Sequence, residues 1–285
     1  MKRFVNACIV LLVVVPAVVG CSKKIKQQED EVYSRHLQQH IKLTIISTPV
    51  PEHKADMNLL LLNDGQDAAP LKLKETIADL YQKKLIQPLI VVAIHAIKRE
   101  EIYGVAGYPD YQGRGSKADK YGAFIDNELY EFVKKRAGVR KFNSIVIAGS
   151  SLGGLSAFDI AWNHADKIDK VGVFSGSFWW RNKDAATTDY SDDNNRIMLN
   201  YIKSSRKKPR LKYWLYAGDK EETSDRDKDG IIDVVDDTND LVALIKSKNV
   251  CAPGDIVHVI SADGKHDVAS WSKALPDFLT WAFGK

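Results

Sequence analysis

Gly149-Ser150-Ser151-Leu152-Gly153 has the spacing G-x-S-x-G, which seats a serine on a sharp turn between a strand and a helix. The flanks fit that context. Ser144 to Ala148 is a β-branched, apolar run, and Leu155 to Asn163 has helical character. A strand that turns at once into a helix crowds the backbone around the serine, and small residues at 149 and 153 relieve the contacts. The hydroxyl then stands clear of the sheet edge, above a helix N-terminus that favours developing negative charge. The chemistry to expect is nucleophilic attack by Ser151; Ser150 is out of step with the spacing.

A serine at its ordinary pKa needs an adjacent base. Of seven histidines, His36, His40 and His53 precede or open the sheet, His95 and His258 lie in or beside strands, and His164 closes the helix after Ser151. His266 follows the last strand through Ser261-Ala262-Asp263-Gly264-Lys265 and precedes the final helix, which makes it the candidate base. The acid that orients the imidazole must fall between Ser and His in chain order for this arrangement. Ala217-Gly218-Asp219-Lys220-Glu221 follows a strand, offering Glu221 as first choice and Asp219 as reserve.

These side chains need a sheet to bring them together. Leu43 to Ser47, Asn58 to Leu62, Leu89 to Ile94, Ser144 to Ala148, Val171 to Ser175, Lys212 to Tyr216 and Ile256 to Ile260 read as short strands. Helical patterns cover Leu73 to Lys84, Tyr121 to Arg136, Leu155 to Asn163, Asn195 to Lys203 and Ala269 to Phe283, with another from an N-cap at Asp237 to about Ser247. Lys98 to about Lys120 reads as a polar loop. Such alternation predicts an α/β fold, a mostly parallel central sheet with helices on both faces. At 285 residues with no Pro/Gly/Ser linker or internal repeat, one domain is expected over 32–285. The net charge of +4, without a basic stripe, gives no footprint for nucleic acid. No dinucleotide fingerprint or P-loop suggests a nucleotide or redox cofactor.

Residues 1–20 read as an export signal: Lys2 and Arg3, an apolar run from Phe4 to Val15, then Pro16 and small residues. Gly20-Cys21 at its end resembles the lipobox of bacterial lipoproteins. That resemblance implies lipid modification of Cys21, a polar tether over 21–31, and anchoring in the cell envelope. Cys8 would leave with the signal, so Cys251 alone would remain and no internal disulfide is expected.

Asp225-Arg226-Asp227-Lys228-Asp229-Gly230-Ile231-Ile232-Asp233-Val234-Val235-Asp236 reproduces calcium-loop spacing. Carboxylates stand at positions 1, 3, 5, 9 and 12, glycine at 6, and the Ile231 carbonyl at 7. A structural Ca2+ held by Asp225, Asp227, Asp229, Ile231, Asp233 and Asp236 is the expectation, bracing the turn that carries Glu221.

From about Val32 onward the chain resembles the esterase family that includes esterase D, feruloyl and acetylxylan esterases, enterochelin esterases and mycolyltransferases. The residues that carry the likeness are Leu60-Leu-Leu-Asn-Asp-Gly-Gln66, Gly149-Ser-Ser-Leu-Gly-Gly154, Phe174-Ser-Gly-Ser-Phe-Trp-Trp180, Gly218-x-x-Glu221 and Gly264-Lys-His266 with Trp271. The resemblance implies the α/β-hydrolase fold, Glu221 as the acid, and an oxyanion hole from the backbone N–H groups of Gln66 and Leu152. Trp179 and Trp180 are candidates for an aromatic wall against substrate. The expected activity is hydrolysis of a carbohydrate-linked or aryl ester. The alternatives are a siderophore esterase, an acyltransferase using the same triad, or a lipid-anchored binding protein with a degenerate triad. Oligomeric state is not legible.

Overall fold

A computed structural model of the chain describes residues 24–285; the stretch expected to be an export signal and Cys21 lie outside the described residues. Eight strands form one sheet: β1 (Lys26–Ser34), β2 (Gln39–Ser47), β3 (Asn58–Asn63), β4 (Leu89–Ile94), β5 (Ile145–Ser150), β6 (Lys170–Phe174), β7 (Lys212–Gly218) and β8 (Ile256–Ser261). Their order is β1-β2-β4-β3-β5-β6-β7-β8. The β1–β2 and β2–β4 pairings are antiparallel and the rest parallel.

β3 and β4 are apolar along nearly their whole length because both faces are covered. Leu59 and Leu61 enter one core, while Leu60 and Leu62 enter the other. The first core is closed by α3 (Ala118–Ala123), a π-helical stretch (Phe124–Leu129) running into α4 (Tyr130–Ala137), and α5 (Leu152–Asn163), then α7 (Ile197–Ser204) and α8 (Asp233–Ser247). The opposite core is closed by α1 (Leu73–Gln82) and α9 (Val268–Phe283). Each fully buried leucine contributes about 1.5–3 kcal/mol, so the sheet is a rigid platform for the loops at its edge. Two short helices, α2 (Arg99–Ile102) and α6 (Asp192–Asn195), complete the set. No helix among the described residues is long and apolar enough to cross a membrane.

Three sequence expectations need correction. Residues 26–31, read as tether, form most of β1, an edge strand paired with β2 from Lys26 to Ser34; its polar, largely exposed sequence suits an edge that must not recruit other strands. The loop from Lys98 contains α2. And α8 begins at Asp233, so Asp237 is no N-cap: it is fully buried, bonded to Arg196 and Arg226.

Candidate active site

Parallel strands deliver their C-terminal ends to one edge, and ligand sites of α/β sheets form there. At the end of β5 the backbone of Ser151 is held at φ 55°, ψ −125°, a conformation that costs about 1–3 kcal/mol for a non-glycine residue. The surroundings hold it in place. Ser151 N donates to Phe174 O at 2.9 Å. Asn63 Nδ2 donates to Gly153 O at 2.7 Å, and the buried Tyr121 hydroxyl donates to Asn63 Oδ1 at 2.6 Å. A Cβ on Gly149 would strike the Gly153 carbonyl, and one on Gly153 would lie 2.5 Å from Asp64 Oδ2. Ser151 Oγ, half-buried, lies 3.5 Å from Ser177 Oγ.

The ends of β7 and β8 supply the other two groups. Gly218 and Gly264 touch so closely that a Cβ on either would collide with the other's backbone. That contact sets the turn after β7 beside the loop after β8. Asp219 serves this junction: its Oδ1 accepts from Asp263 N at 2.7 Å. Glu221 turns the other way. Its side chain is only 1% exposed, and Oε2 lies 2.7 Å from His266 Nδ1. Oε1 accepts from the Ser175 hydroxyl at 2.5 Å and from Gly218 N at 2.6 Å. Ser175 Oγ in turn accepts from Trp271 Nε1 at 2.8 Å, and the Trp271 ring meets His266 edge-on, centroids 5.3 Å apart. With Nδ1 facing a carboxylate, the neutral imidazole presents a bare Nε2, the form able to accept a proton. His266 remains 39% exposed and is not hydrogen-bonded to Ser151.

The N–H groups of Leu152 and Gln66 have no acceptor among the described residues. Leu152 N opens α5. Gln66 is fixed by its side chain, with Oε1 accepting from Ala96 N at 3.1 Å and Nε2 donating to Asp64 Oδ1 at 3.0 Å. Ser175, which bonds both Glu221 and Trp271, and Ser177, beside Ser151, were not assigned to the site from sequence, although both lie within the Phe174-Ser-Gly-Ser stretch.

Residues 34–282 match the family described as "Putative esterase". The chain belongs to that family. Among solved structures, an enterobactin esterase from Shigella flexneri has a TM-score of 0.68 at 20% identity, covering 90% of this chain and 59% of that one. A ferulic acid esterase has a TM-score of 0.67 at 16% identity, covering 91% and 98%. A siderophore hydrolase from Aspergillus nidulans has 0.65 at 16%, covering 93% and 96%. This esterase-family chain spans less than two thirds of the enterobactin esterases it matches. At such identities the likeness establishes the α/β-hydrolase architecture. No curated protein matches the chain.

Of the two tryptophans expected to line this family member's site, Trp180 does not. It is fully buried, donates to Tyr108 O at 3.2 Å, and fills space against Gly104 and Gly115. Trp179 stays half-exposed two residues after Ser177, with the guanidinium groups of Arg114 and Arg181 at 5.3 and 5.8 Å from its ring.

In the acidic loop, carboxylate oxygens of Asp225, Asp227 and Asp229 lie within 4.8 Å of one another. Gly230 has φ +92°, and its N–H donates to Asp225 Oδ2 at 3.0 Å. The charges of Asp227 and Asp229 also act on Asp236: its carboxyl is pushed up to about 6, by burial first and then by Asp240, Asp227 and Asp229. Asp233 instead opens α8 and gives both oxygens to Arg226, at 2.8 Å from its N and 3.1 Å from Nη1. It stands outside the converging set.

Proposed function

We propose that the protein hydrolyses a carboxylic ester through an acyl-enzyme on Ser151, with His266 as base and Glu221 as its orienting acid. The observation that carries this is the buried Glu221 carboxylate, fixed by Ser175 and Gly218 and aimed at His266 Nδ1, on the sheet edge that bears the strained Ser151. As Ser151 Oγ bonds to the ester carbonyl carbon, its proton passes to His266 Nε2. The imidazolium is stabilised by Glu221 and then protonates the departing alcohol. Water, deprotonated by the same nitrogen, attacks the acyl carbon and releases the acid and free Ser151. The amides of Leu152 and Gln66 receive the tetrahedral oxygen in both steps.

For the substrate we propose a siderophore-type ester. Enterobactin esterases and a siderophore hydrolase recur among the structures that share this fold. The half-exposed Trp179 favours a second reading, an aryl ester such as a feruloyl group, which the ferulic acid esterase also suggests. A panel of a catecholate trilactone, feruloyl, acetyl-xylan and p-nitrophenyl esters separates the two. The highest kcat/KM on the trilactone supports the first and on the feruloyl ester the second; S151A should lose both. Added acceptor alcohols test the acyltransferase alternative: transesterified product would displace hydrolysis as the reading.

We also propose that Asp225, Asp227, Asp229 and Asp236, with the Ile231 carbonyl, hold a structural Ca2+; hard oxygens in this number and spacing suit that ion. Gly20-Cys21 supports export with a lipid anchor on Cys21, tested by mass spectrometry of the mature N-terminus.

A further inference from the structure

We propose that Arg99 is a positioning residue for catalysis, clamping the loop that carries Gln66 to the strand that carries Ser151 so that both oxyanion amides are aimed together. The inference rests on the assignment of Leu152 and Gln66 as oxyanion donors.

Arg99 opens α2, 35 positions from Asp64, its partner. Its Nε donates to Asp64 Oδ1 at 2.8 Å and its Nη2 to Oδ2 at 3.2 Å, a two-pronged contact. The same Nη2 donates to Ser150 O at 3.3 Å. One planar group thus ties residue 64, two before Gln66, to residue 150, next to the nucleophile and two before Leu152.

Asp64 is the pivot. Its side chain is 3% exposed, and its backbone is left-handed, φ 59°. Oδ2 occupies the space that a side chain on Gly153 would need, so the carboxylate sits between the Gln66 loop and the first turn of α5. Tyr103 is hydrogen-bonded to Asp64 N at 3.0 Å, Asp64 O accepts from Asp67 N at 2.9 Å, and Oδ1 also takes Gln66 Nε2. A buried carboxylate requires a matching cation, and among the described residues Arg99 is the one paired with Asp64. Oxyanion donors act only within about 2.7–3.1 Å of the developing charge. An Asp64 that swings loose would therefore carry Gln66 N–H out of range while leaving the ester's ground-state contacts in place.

The test is kinetic. In R99Q, kcat should fall by about 10- to 100-fold with KM within about threefold, a smaller loss than deleting a donor outright. The inhibition constant of a boronic acid, whose tetrahedral adduct uses both amides, should rise by a similar factor. R99K, which keeps the charge but not the fork, should recover part of the loss. D64N provides an independent route should R99Q fail to fold, because asparagine tolerates the left-handed turn; it should show the same split. R99Q with kcat within threefold of wild type, or with lower kcat and unchanged boronate affinity, overturns the proposal. S151A run alongside separates the two readings. If S151A is inactive and R99Q and D64N are wild-type, Arg99 has no such role; if S151A still turns over, the nucleophile assignment falls and this inference with it.

Discussion

Glutamine at position 221 should be far more damaging than its shape suggests. The two oxygens of Glu221 are not equivalent. Oε1 accepts from Ser175 Oγ and Gly218 N, and the second donor is a backbone N–H that cannot turn round. In E221Q the amide oxygen must therefore take the Oε1 position, which sends the NH2 group to the Oε2 position, 2.7 Å from His266 Nδ1. An NH2 there donates, so Nδ1 becomes the acceptor and the imidazole proton moves to Nε2. That tautomer cannot take the proton of Ser151. Loss of the correct tautomer with geometry preserved costs on the order of 10³–10⁴ in kcat, about 4–5.5 kcal/mol of activation free energy. E221D, which still accepts, should lose much less. Steady-state hydrolysis of a p-nitrophenyl ester gives kcat, and ¹⁵N NMR of the His266 ring gives the tautomer directly. Retention of more than a tenth of wild-type kcat in E221Q, or a ring still protonated at Nδ1, would refute the reasoning.

Three further outcomes follow from charge and burial. Asp159, wholly buried on α5 and bonded to Ala106 N and Asn163, has its carboxyl pushed from 3.8 to about 7, chiefly by burial. A carboxyl whose folded pKa is raised stabilises the fold while protonated, so that contribution, at most about 4 kcal/mol, is fully present below about 3.8 and is lost progressively as pH rises from there to about 7. The melting temperature should carry a decline from this group between about pH 4 and 7 that levels off above 7, with D159N flattening the step; an equal decline in D159N contradicts this. Arg226 bonds Asp237, Asp233 and Asp192, and Asp237 is fully buried. R226M should cost about 3–5 kcal/mol in urea unfolding, partly restored by D237N in the same chain; a loss under 1 kcal/mol would show the network to be idle. Added Ca2+ should raise the melting temperature and chelator lower it, with D227N abolishing the response; an unchanged temperature in wild type removes the metal site.

Local patterns carried the fold. The buried runs Asn58 to Leu62 and Leu89 to Ile94 show their strand character in composition, and the serine's spacing with its flanks gives the strand–turn–helix. β1 was illegible because an edge strand that avoids partners has no apolar alternation to read. Asp237 has the residue type of an N-cap, and only the arrival of Arg196 and Arg226 from 41 and 11 positions away distinguishes a buried ion pair from a cap. The site divides the same way. Ser151, His266 and Glu221 occupy turns whose sequence marks them, whereas the parts that hold them in place act over long separations. Ser175 meets Glu221 across 46 residues and Trp271 across 96, and nothing within Phe174-Ser-Gly-Ser reveals those partners. Trp179 and Trp180 are neighbours of identical type; which of them is buried depends on Gly104 and Gly115, in a loop whose sequence shows only polarity.

Covalent capture addresses the proposed chemistry most directly. Incubation with a fluorophosphonate, followed by peptide mass spectrometry, should place one adduct on the peptide containing Ser151, with labelling lost in S151A and slowed at least a hundredfold in H266A. An adduct that persists in S151A, or a wild-type protein that remains unlabelled while folded, would contradict the account.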